Sequence, residues 1–165
     1  VKMPTEQFLE RLMNTYGDEL LRMCYLYLKD YQLAEDAVQD TFLHAFRAKD
    51  GFQGQSSEKT WLTAIAVNIC RSYLRSSWFR RVDMVLDNIP APPQAEPDDD
   101  ALISKIMELP GKYREVILLY YYQQLTVPEI ADMLRLSPDT VYSRLRRARE
   151  KLKPKLKGWV EDEQY

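Results

Sequence analysis

Arginine side chains are concentrated in one short segment near the C-terminal end of the chain. Arginine occupies four of the six positions from 144 to 149, although the net charge of the whole chain is −2. Guanidinium groups donate hydrogen bonds to guanine edges in the major groove of DNA and neutralise phosphates. The segment therefore predicts contact with double-stranded DNA through a set of polar residues: Thr140, Tyr142, Ser143, Arg144, Arg146 and Arg147.

Two helices joined by a tight turn are predicted to present this polar face. The first lies within residues 126–134, and Ser137 followed by Pro138 is a helix start, since serine caps helices and proline favours the first helical position. The second helix has a buried stripe at a helical spacing: Val141, Leu145 and Ala148. This pattern predicts a helix-turn-helix. A solvated basic helix in a bundle is the alternative, which the clustering of the basic residues disfavours.

The composition indicates an all-α protein. With 165 residues, of which 45% are hydrophobic, the chain can form one domain or two small ones with packed cores. Glycine is scarce, at five residues, and long stretches with a 3.6-residue period replace the alternating pattern of strands. No apolar run reaches the length of a membrane span and no signal peptide is recognisable, so a cytoplasmic location is expected.

Neither a metal site nor a catalytic centre is expected. Cys24 and Cys70 lie within apolar helical patterns, which predicts buried, reduced thiols. A zinc site needs about four closely spaced ligands, and the chain has a single histidine, His44. Three adjacent carboxylates at 98–100 stand in a proline-rich tract without further ligands. The sequence therefore predicts no metal, no cofactor and no small-molecule substrate.

Acidic residues mark one face of the second predicted helix, which spans residues 33–49. A first helix is predicted over residues 5–29, with Gly17 as a point where it could break into two. The second helix has an apolar face, on which Phe46 is placed, and a polar set: Glu35, Asp36, Gln39, Asp40 and Leu43. A solvated surface is one interpretation of this polar set, and a docking face for a basic partner helix is the other.

The third predicted helix, residues 60–75, combines an aromatic residue with polar and basic ones and has Ser56 or Ser57 as its cap. One face contains Trp61, Asn68, Arg71 and Arg75. Unpaired DNA requires such a set, because aromatic rings stack on bases while cations neutralise phosphates. A core tryptophan on an amphipathic helix is the simpler interpretation, and the pattern alone favours it.

A proline-rich stretch divides the chain into two helical domains. The predicted organisation is an N-terminal domain at 1–77, a flexible linker at 78–100, a C-terminal helix-turn-helix domain at 101–158 and an acidic tail at 159–165. The second domain is expected to be a compact four-helix unit. Its third and fourth helices form the helix-turn-helix.

Three segments, in this order, resemble bacterial RNA polymerase sigma factors of the extracytoplasmic-function (ECF) group. They are LAEDAVQDTFLHAF, KTWLTAIAVNICRSYLR and a long C-terminal segment that begins LPGKYREVILLYYY and includes the predicted helix-turn-helix. The resemblance covers the chain from about residue 5 to residue 157. It implies an initiation factor that carries out no covalent chemistry and binds core RNA polymerase and promoter DNA.

The resemblance also implies a role for each polar face. The acidic set on the second helix would dock on the clamp helices of the largest polymerase subunit. The Trp61 face would hold the −10 promoter element, with the loop 51–57 helping to hold a flipped base, and the basic face of the last helix would read the −35 element. An anti-sigma factor, in many relatives anchored to the membrane, would cover these faces.

Two positions depart from the family pattern. Tyr142 stands where relatives often have Lys or Arg, and the turn before Ser137 lacks the Gly that many relatives carry. Arg135 and Leu136 occupy this turn instead, which the first helix can tolerate if it ends without a left-handed residue. Two other classes of function remain as alternatives. One is a dimeric helix-turn-helix regulator, and the other is a metal-dependent hydrolase built on Asp98–Asp100 and His44.

Overall fold

The computed structural model describes residues 5–52, 54, 56–76 and 100–153. The chain divides into two compact units, Val1–Pro90 and Ala91–Tyr165. Within the described ranges every regular element is a helix, as the all-α prediction requires. The predicted tail at 159–165 lies outside the described residues, as does the predicted linker except for its last residue. The exact domain limits therefore stay a prediction.

The N-terminal unit packs three long helices together. They are α1 (Thr5–Leu28), α2 (Tyr31–Ala48) and α3 (Glu58–Arg75), with a short 3-10 turn at Lys49–Gly51 after α2. The core is formed by side chains that recur every three or four residues on the inner face of each helix: Leu12, Met23, Cys24, Ala34, Ala37, Phe42, Leu62, Ala66 and Cys70. The buried, free state of both cysteines confirms the prediction for the thiols.

Helix α1 runs without interruption through Gly17, so the predicted break was wrong. A glycine inside a helix costs about 1 kcal/mol relative to alanine. Leu12 and Leu20, on either side of it, are both buried, and burying one leucine stabilises by about 1.5–3 kcal/mol. Packing therefore outweighs the local preference of Gly17.

Side-chain caps start α2 and α3 two residues earlier than predicted. The Asp30 carboxylate accepts a hydrogen bond from the Leu33 backbone N–H at 2.9 Å, so α2 begins at Tyr31. Ser57, one of the two predicted caps, accepts from the Thr60 N–H at 3.1 Å, so α3 begins at Glu58. These bonds satisfy N–H groups that the first helical turn leaves without a partner.

The C-terminal unit is the predicted four-helix arrangement. It contains α4 (Asp100–Glu108), α5 (Gly111–Ile117), α6 (Val127–Leu134) and α7 (Pro138–Leu152), and α5 continues into a π-helical segment, Leu118–Tyr122. The core takes side chains from every element: Leu102, Ile106, Val116, Leu118, Leu119, Ile130, Leu134, Val141, Leu145 and Ala148. This core fixes the position of α7 against α5 and α6.

The turn between α6 and α7 contains a left-handed residue, so the condition under which Arg135 would be accommodated without strain is not met. Arg135 has φ 57° and ψ 46°, and its N–H points back to the carbonyls of Ala131 and Asp132. The next N–H, of Leu136, donates to the Ala131 carbonyl at 2.9 Å. The final carbonyls of α6 obtain partners only when the chain reverses in this way. The turn therefore needs the conformation that glycine would adopt, and Arg135 adopts it at a cost of about 1–2 kcal/mol.

Candidate nucleic-acid and polymerase interfaces

Helix α7 buries the predicted stripe and presents its polar residues outward. Val141, Leu145 and Ala148 are completely buried. Tyr142 is 45% exposed, and Arg146 and Arg147 are also exposed. The apolar side is therefore taken up by the core, and the exposed side offers a phenol and two guanidinium groups to a partner.

Side-chain caps stabilise the N-terminus of each helix in the helix-turn-helix, α6 and α7. Thr126 and Glu129 form a reciprocal capping box, in which Thr126 Oγ1 accepts from the Glu129 N–H and Glu129 Oε1 accepts from the Thr126 N–H. Ser137 caps α7 by accepting from the Thr140 N–H at 3.2 Å. The two hydroxyl oxygens of Ser137 and Thr140 lie 2.8 Å apart, so the Thr140 hydroxyl already takes part in this cap.

Two of the predicted −35 residues are paired with side chains of α5. Arg144 Nη1 lies 3.9 Å from Glu115 Oε1, and the side chains are 26% and 9% exposed, respectively. The Arg147 guanidinium lies close enough to the Tyr113 hydroxyl to lower the pKa of that phenol, together with the nearby Lys112 and Lys151. Sequence patterns had not indicated either partner, because the contacts join positions about 30 residues apart.

Arg149 is occupied inside the unit, although it belongs to the same arginine cluster. Its Nε donates to the Tyr121 hydroxyl. Its guanidinium carbon lies 5.5 Å from the ring centroid of Tyr120 and 5.4 Å from that of Tyr121. The π-helical segment supplies both tyrosines, so this arginine ties α7 to the segment that follows α5.

The predicted −10 face lies along one side of α3. Asn68 and Arg75 are exposed, whereas Arg71 is half-buried. Trp61 is also half-buried and stacks on Phe52, with ring centroids 4.7 Å apart and an interplanar angle of 24°. Phe52 belongs to the loop 51–57, most of which is described, and sequence analysis had not identified it as a partner of the tryptophan. The pair forms an aromatic platform at the start of α3.

The predicted polymerase-binding set follows the outer side of α2. Gln39 and Leu43 are exposed, while Glu35, Asp36 and Asp40 are half-buried. Asp36 Oδ1 accepts from Gln32 Nε2 at 3.3 Å. Asp40 Oδ2 accepts from the Tyr73 hydroxyl at 2.6 Å. Asp40 therefore also holds α2 against α3.

The Tyr73 phenol is held in its protonated form. Partial burial raises its pKa, and the hydrogen bond to the Asp40 carboxylate raises it further. The hydroxyl therefore remains a donor to Asp40 throughout the neutral pH range. This contact gives Asp40 a structural role in addition to the one predicted for it.

An apolar groove of about 520 Å³ lies between α1 and α2, beside the acidic set. Glu35, Gln39 and Leu43 lie at this groove together with a group of apolar residues: Leu9, Met13, Leu21, Val38 and Phe42. Met13 and Leu43 are 49% and 51% exposed. Sequence analysis had missed the contribution of α1, because a shared groove depends on how two helices pack.

Phe46 was wrongly placed on the core face of α2, since it is 41% exposed. It lies about one turn beyond Phe42, which is buried, and Lys49 Nζ lies 5.7 Å from its ring centroid. With Leu43 it extends the apolar surface at the end of α2. Large exposed apolar side chains close together are typical of protein-binding surfaces.

Neither a cluster of potential metal ligands nor a membrane span occurs in the part of the chain that the structure describes. No group of three or more His, Cys, Asp or Glu side chains there could hold a metal ion. Asp98 and Asp99 of the alternative metal site lie outside the described residues, whereas His44 is exposed on α2. None of the described helices has an apolar stretch able to cross a lipid bilayer.

Comparison with known proteins identifies two regions of one family. Sigma-70 region 2 matches residues 12–80, and sigma-70 region 4 matches residues 99–152. The chain is 30% identical to the ECF RNA polymerase sigma factor SigW of Bacillus subtilis, covering 95% of this chain and 93% of SigW. It is 33% identical to the ECF sigma factor SigG of Mycobacterium tuberculosis. That match covers 83% of this chain but only 45% of SigG.

A solved structure agrees with these matches. The sigma factor RpoE of Bartonella quintana, in complex with the anti-sigma factor NepR, has a TM-score of 0.72 and 25% identity. The match covers 94% of this chain and 99% of RpoE. Similarity in both regions, in the same order and over nearly the full length of SigW, establishes that the chain belongs to the ECF group of RNA polymerase sigma factors.

Proposed function

We propose that this initiation factor uses two faces of the N-terminal unit and one face of the C-terminal unit for its partners and carries out no covalent chemistry. The outer side of α2 binds core RNA polymerase, the Trp61 side of α3 holds the −10 element and the exposed side of α7 reads the −35 element. The observation that carries the proposal is the occurrence of regions 2 and 4 in order on two compact units. Bound at the same time, the units give one polymerase two points of contact with a promoter.

The polymerase face is supported by its mixture of exposed apolar and acidic residues. Leu43 and Gln39 lie beside the groove between α1 and α2, and Glu35 and Asp36 add negative charge to it. A helix that places apolar side chains in the groove and basic side chains on its rim would satisfy both features. The clamp helices of the largest polymerase subunit are the occupant that we propose.

The −10 face is supported by the aromatic platform of Trp61 and Phe52. An unpaired base stacked on an aromatic ring gains about 1–3 kcal/mol, which offsets part of the cost of opening the duplex. Asn68 offers hydrogen bonds along the same side of α3, and Arg71 and Arg75 offer positive charge to the DNA backbone. Binding energy, rather than a reaction at a catalytic residue, would thus favour the melted promoter.

The −35 face is supported by the exposed side of α7. Tyr142, Arg146 and Arg147 are the most exposed members of the predicted set, so we assign base and phosphate contacts to them first. Ser143 and Arg144 are half-buried and lie beside them, and Thr140 adds a polar group in the first turn of the helix. Arginine reads guanine through paired hydrogen bonds, whereas Tyr142 would replace a cationic contact with a neutral one.

Regulation by an anti-sigma factor is proposed by analogy with RpoE, whose structure contains the anti-sigma factor NepR. Such a partner would compete with polymerase for the groove face of the N-terminal unit, because exposed Met13 and Leu43 offer it apolar contact. The protein would act in the cytoplasm, where core polymerase and promoters are found, and an anti-sigma factor anchored in the membrane would hold it at the inner surface.

Run-off transcription tests the proposal directly. Purified protein is added to core RNA polymerase with a pool of bacterial promoter fragments, and transcripts are compared with those of core polymerase alone. We expect new start sites that share an upstream element at −35 and another at −10. If core polymerase neither binds the protein nor gains start sites, and the protein alone shifts one DNA fragment as a dimer, a stand-alone regulator replaces this proposal.

A further inference from the structure

A buried acidic side chain of α5 lies against the basic side of α7. Glu115 is only 7% exposed, and its Oε1 lies 3.9 Å from Arg144 Nη1. A buried carboxylate is costly unless a cation or hydrogen-bond donors compensate it. Arg144 contributes to this compensation, which favours rotamers that keep its guanidinium beside α5.

Tyr113, two residues earlier on α5, stands in the same relation to Arg147. The Tyr113 ring is buried, and the exposed Arg147 guanidinium lies close enough to its hydroxyl to influence the phenol electrostatically. Lys112 Nζ lies 5.1 Å from the Tyr113 ring centroid, so a second cation flanks the phenol. The hydroxyl thus offers one exposed arginine a polar partner at the edge of the core.

We propose that Glu115 and Tyr113 are positioning residues for −35 recognition, acting through Arg144 and Arg147. The inference rests on the proposed function of α7 and deepens it. It places part of the promoter selectivity on α5, a helix outside the DNA major groove. A long, flexible arginine loses rotamer freedom when it binds a base or a phosphate. An anchor that restricts it beforehand lowers that loss and disfavours alternative poses on the wrong sequence.

Two conservative substitutions separate this role from packing. Tyr113→Phe removes only the hydroxyl, and Glu115→Gln keeps the shape while removing the charge. Each holoenzyme transcribes a cognate promoter in competition with a copy that has one changed base pair in its −35 element. We expect each variant to lower the ratio of cognate to altered transcript by about three- to tenfold, which corresponds to freeing one immobilised side chain.

A double-mutant cycle shows whether the effect passes through the arginines. In an Arg147→Ala background, Tyr113→Phe should no longer change the ratio, and in an Arg144→Ala background the same should hold for Glu115→Gln. An unchanged ratio in both single variants, or an equal loss with and without the arginine, would overturn the inference. If Glu115→Gln fails to fold, as judged by circular dichroism, the Tyr113→Phe cycle decides.

Matched controls come from the same unit. Tyr121→Phe removes a tyrosine hydroxyl that also anchors an arginine of α7, but that arginine, Arg149, is outside the proposed reading set. Glu150→Gln removes an exposed carboxylate of α7 that is not one of the proposed positioning residues. Both controls should keep the wild-type ratio. Absence of transcripts with the wild-type protein would instead count against the proposed function itself, so the two failures are distinguishable.

Discussion

At the scale of single residues, the arginines of α7 have different surroundings despite their adjacent positions. Arg146 is exposed, Arg144 and Arg147 are tied to α5, and Arg149 is tied to the π-helical segment. Positive charge alone therefore does not define a reading residue. The surroundings decide which guanidinium can leave the protein surface for DNA and how much rotamer freedom it loses on doing so.

The two cysteines offer a test at the same scale. Cys24 and Cys70 are both completely buried, and the neighbouring Cys24 thiol, together with burial, raises the pKa of the Cys70 thiol well above its usual range. Because only the thiolate is nucleophilic, the native protein at pH 8 should react with Ellman's reagent no faster than it unfolds. In urea, both thiols should react at once.

The raised pKa of Cys70 also makes the stability of the folded protein depend on pH. The folded protein keeps the Cys70 proton where an unfolded thiol loses it, near pH 8.5. This contribution to stability is therefore complete below about pH 8.5 and is lost as the pH rises towards the raised pKa of the folded state.

Ser72→Cys provides the control for the reaction with Ellman's reagent, since Ser72 is exposed and a thiol there should react immediately. Rapid reaction of both native thiols would contradict the prediction.

At the scale of elements, capping and turn geometry position the recognition helix. The capping box of Thr126 and Glu129 fixes the start of α6, and Ser137 fixes the start of α7. Between them, Arg135 takes a left-handed conformation that its side chain disfavours. The chain retains this geometry because Ile130, Leu134 and Val141 are buried on both sides of the turn.

Arg135→Gly should stabilise the C-terminal unit. Glycine adopts the left-handed conformation without steric cost, so the free energy of unfolding should rise by about 1 kcal/mol. Urea unfolding followed by circular dichroism measures this as a higher midpoint with an unchanged slope. Arg135→Ala is the matched control, because it removes the same exposed side chain but keeps the strained Cβ. Equal stability of the two variants would contradict the strain argument.

At the scale of the whole molecule, the proposed polymerase face and the proposed −35 face belong to different units. The N-terminal unit contains the groove with exposed Met13 and Leu43, and the C-terminal unit contains the exposed side of α7. A net charge of −2 for the chain hides this separation. A segregated charge distribution lets one protein bind a basic helix and an acidic polymer at separate faces.

Leu43→Asp should separate the two activities. Leu43 is 51% exposed, so the stability of the unit should change by less than about 0.5 kcal/mol. At an apolar docking site, however, the new carboxylate would be buried without a partner, and affinity for core polymerase should fall at least tenfold, roughly 1.4 kcal/mol. A binding titration with labelled protein and core polymerase measures this change.

His44→Asp supplies the control for this variant. His44 is the exposed neighbour of Leu43 on α2 and lies outside the groove, and the substitution introduces the same carboxylate. Its affinity for core polymerase should stay within about threefold of the wild type, since exposed substitutions outside an interface centre have small effects. Equal losses in both variants would point to a general effect of charge instead of docking in the groove.

The helices, the helix-turn-helix and the family were predictable from the amino-acid sequence, because these features depend on local spacing. The buried stripe of Val141, Leu145 and Ala148 repeats with the helical period. Two adjacent residues, Ser137 and Pro138, mark the start of that helix. Such signals are complete within a short window. The order of three family-like segments likewise needs no knowledge of packing.

The contacts between these elements depend on tertiary packing and were not predictable from local patterns. The groove beside Leu43 needs α1 as its second wall, and the anchors of Arg144 and Arg147 come from α5. The continuity of α1 through Gly17 and the left-handed Arg135 also follow from packing, which outweighs local preference by a few kcal/mol. Contacts between residues far apart in the chain depend on where helices cross, and no local pattern contains that information.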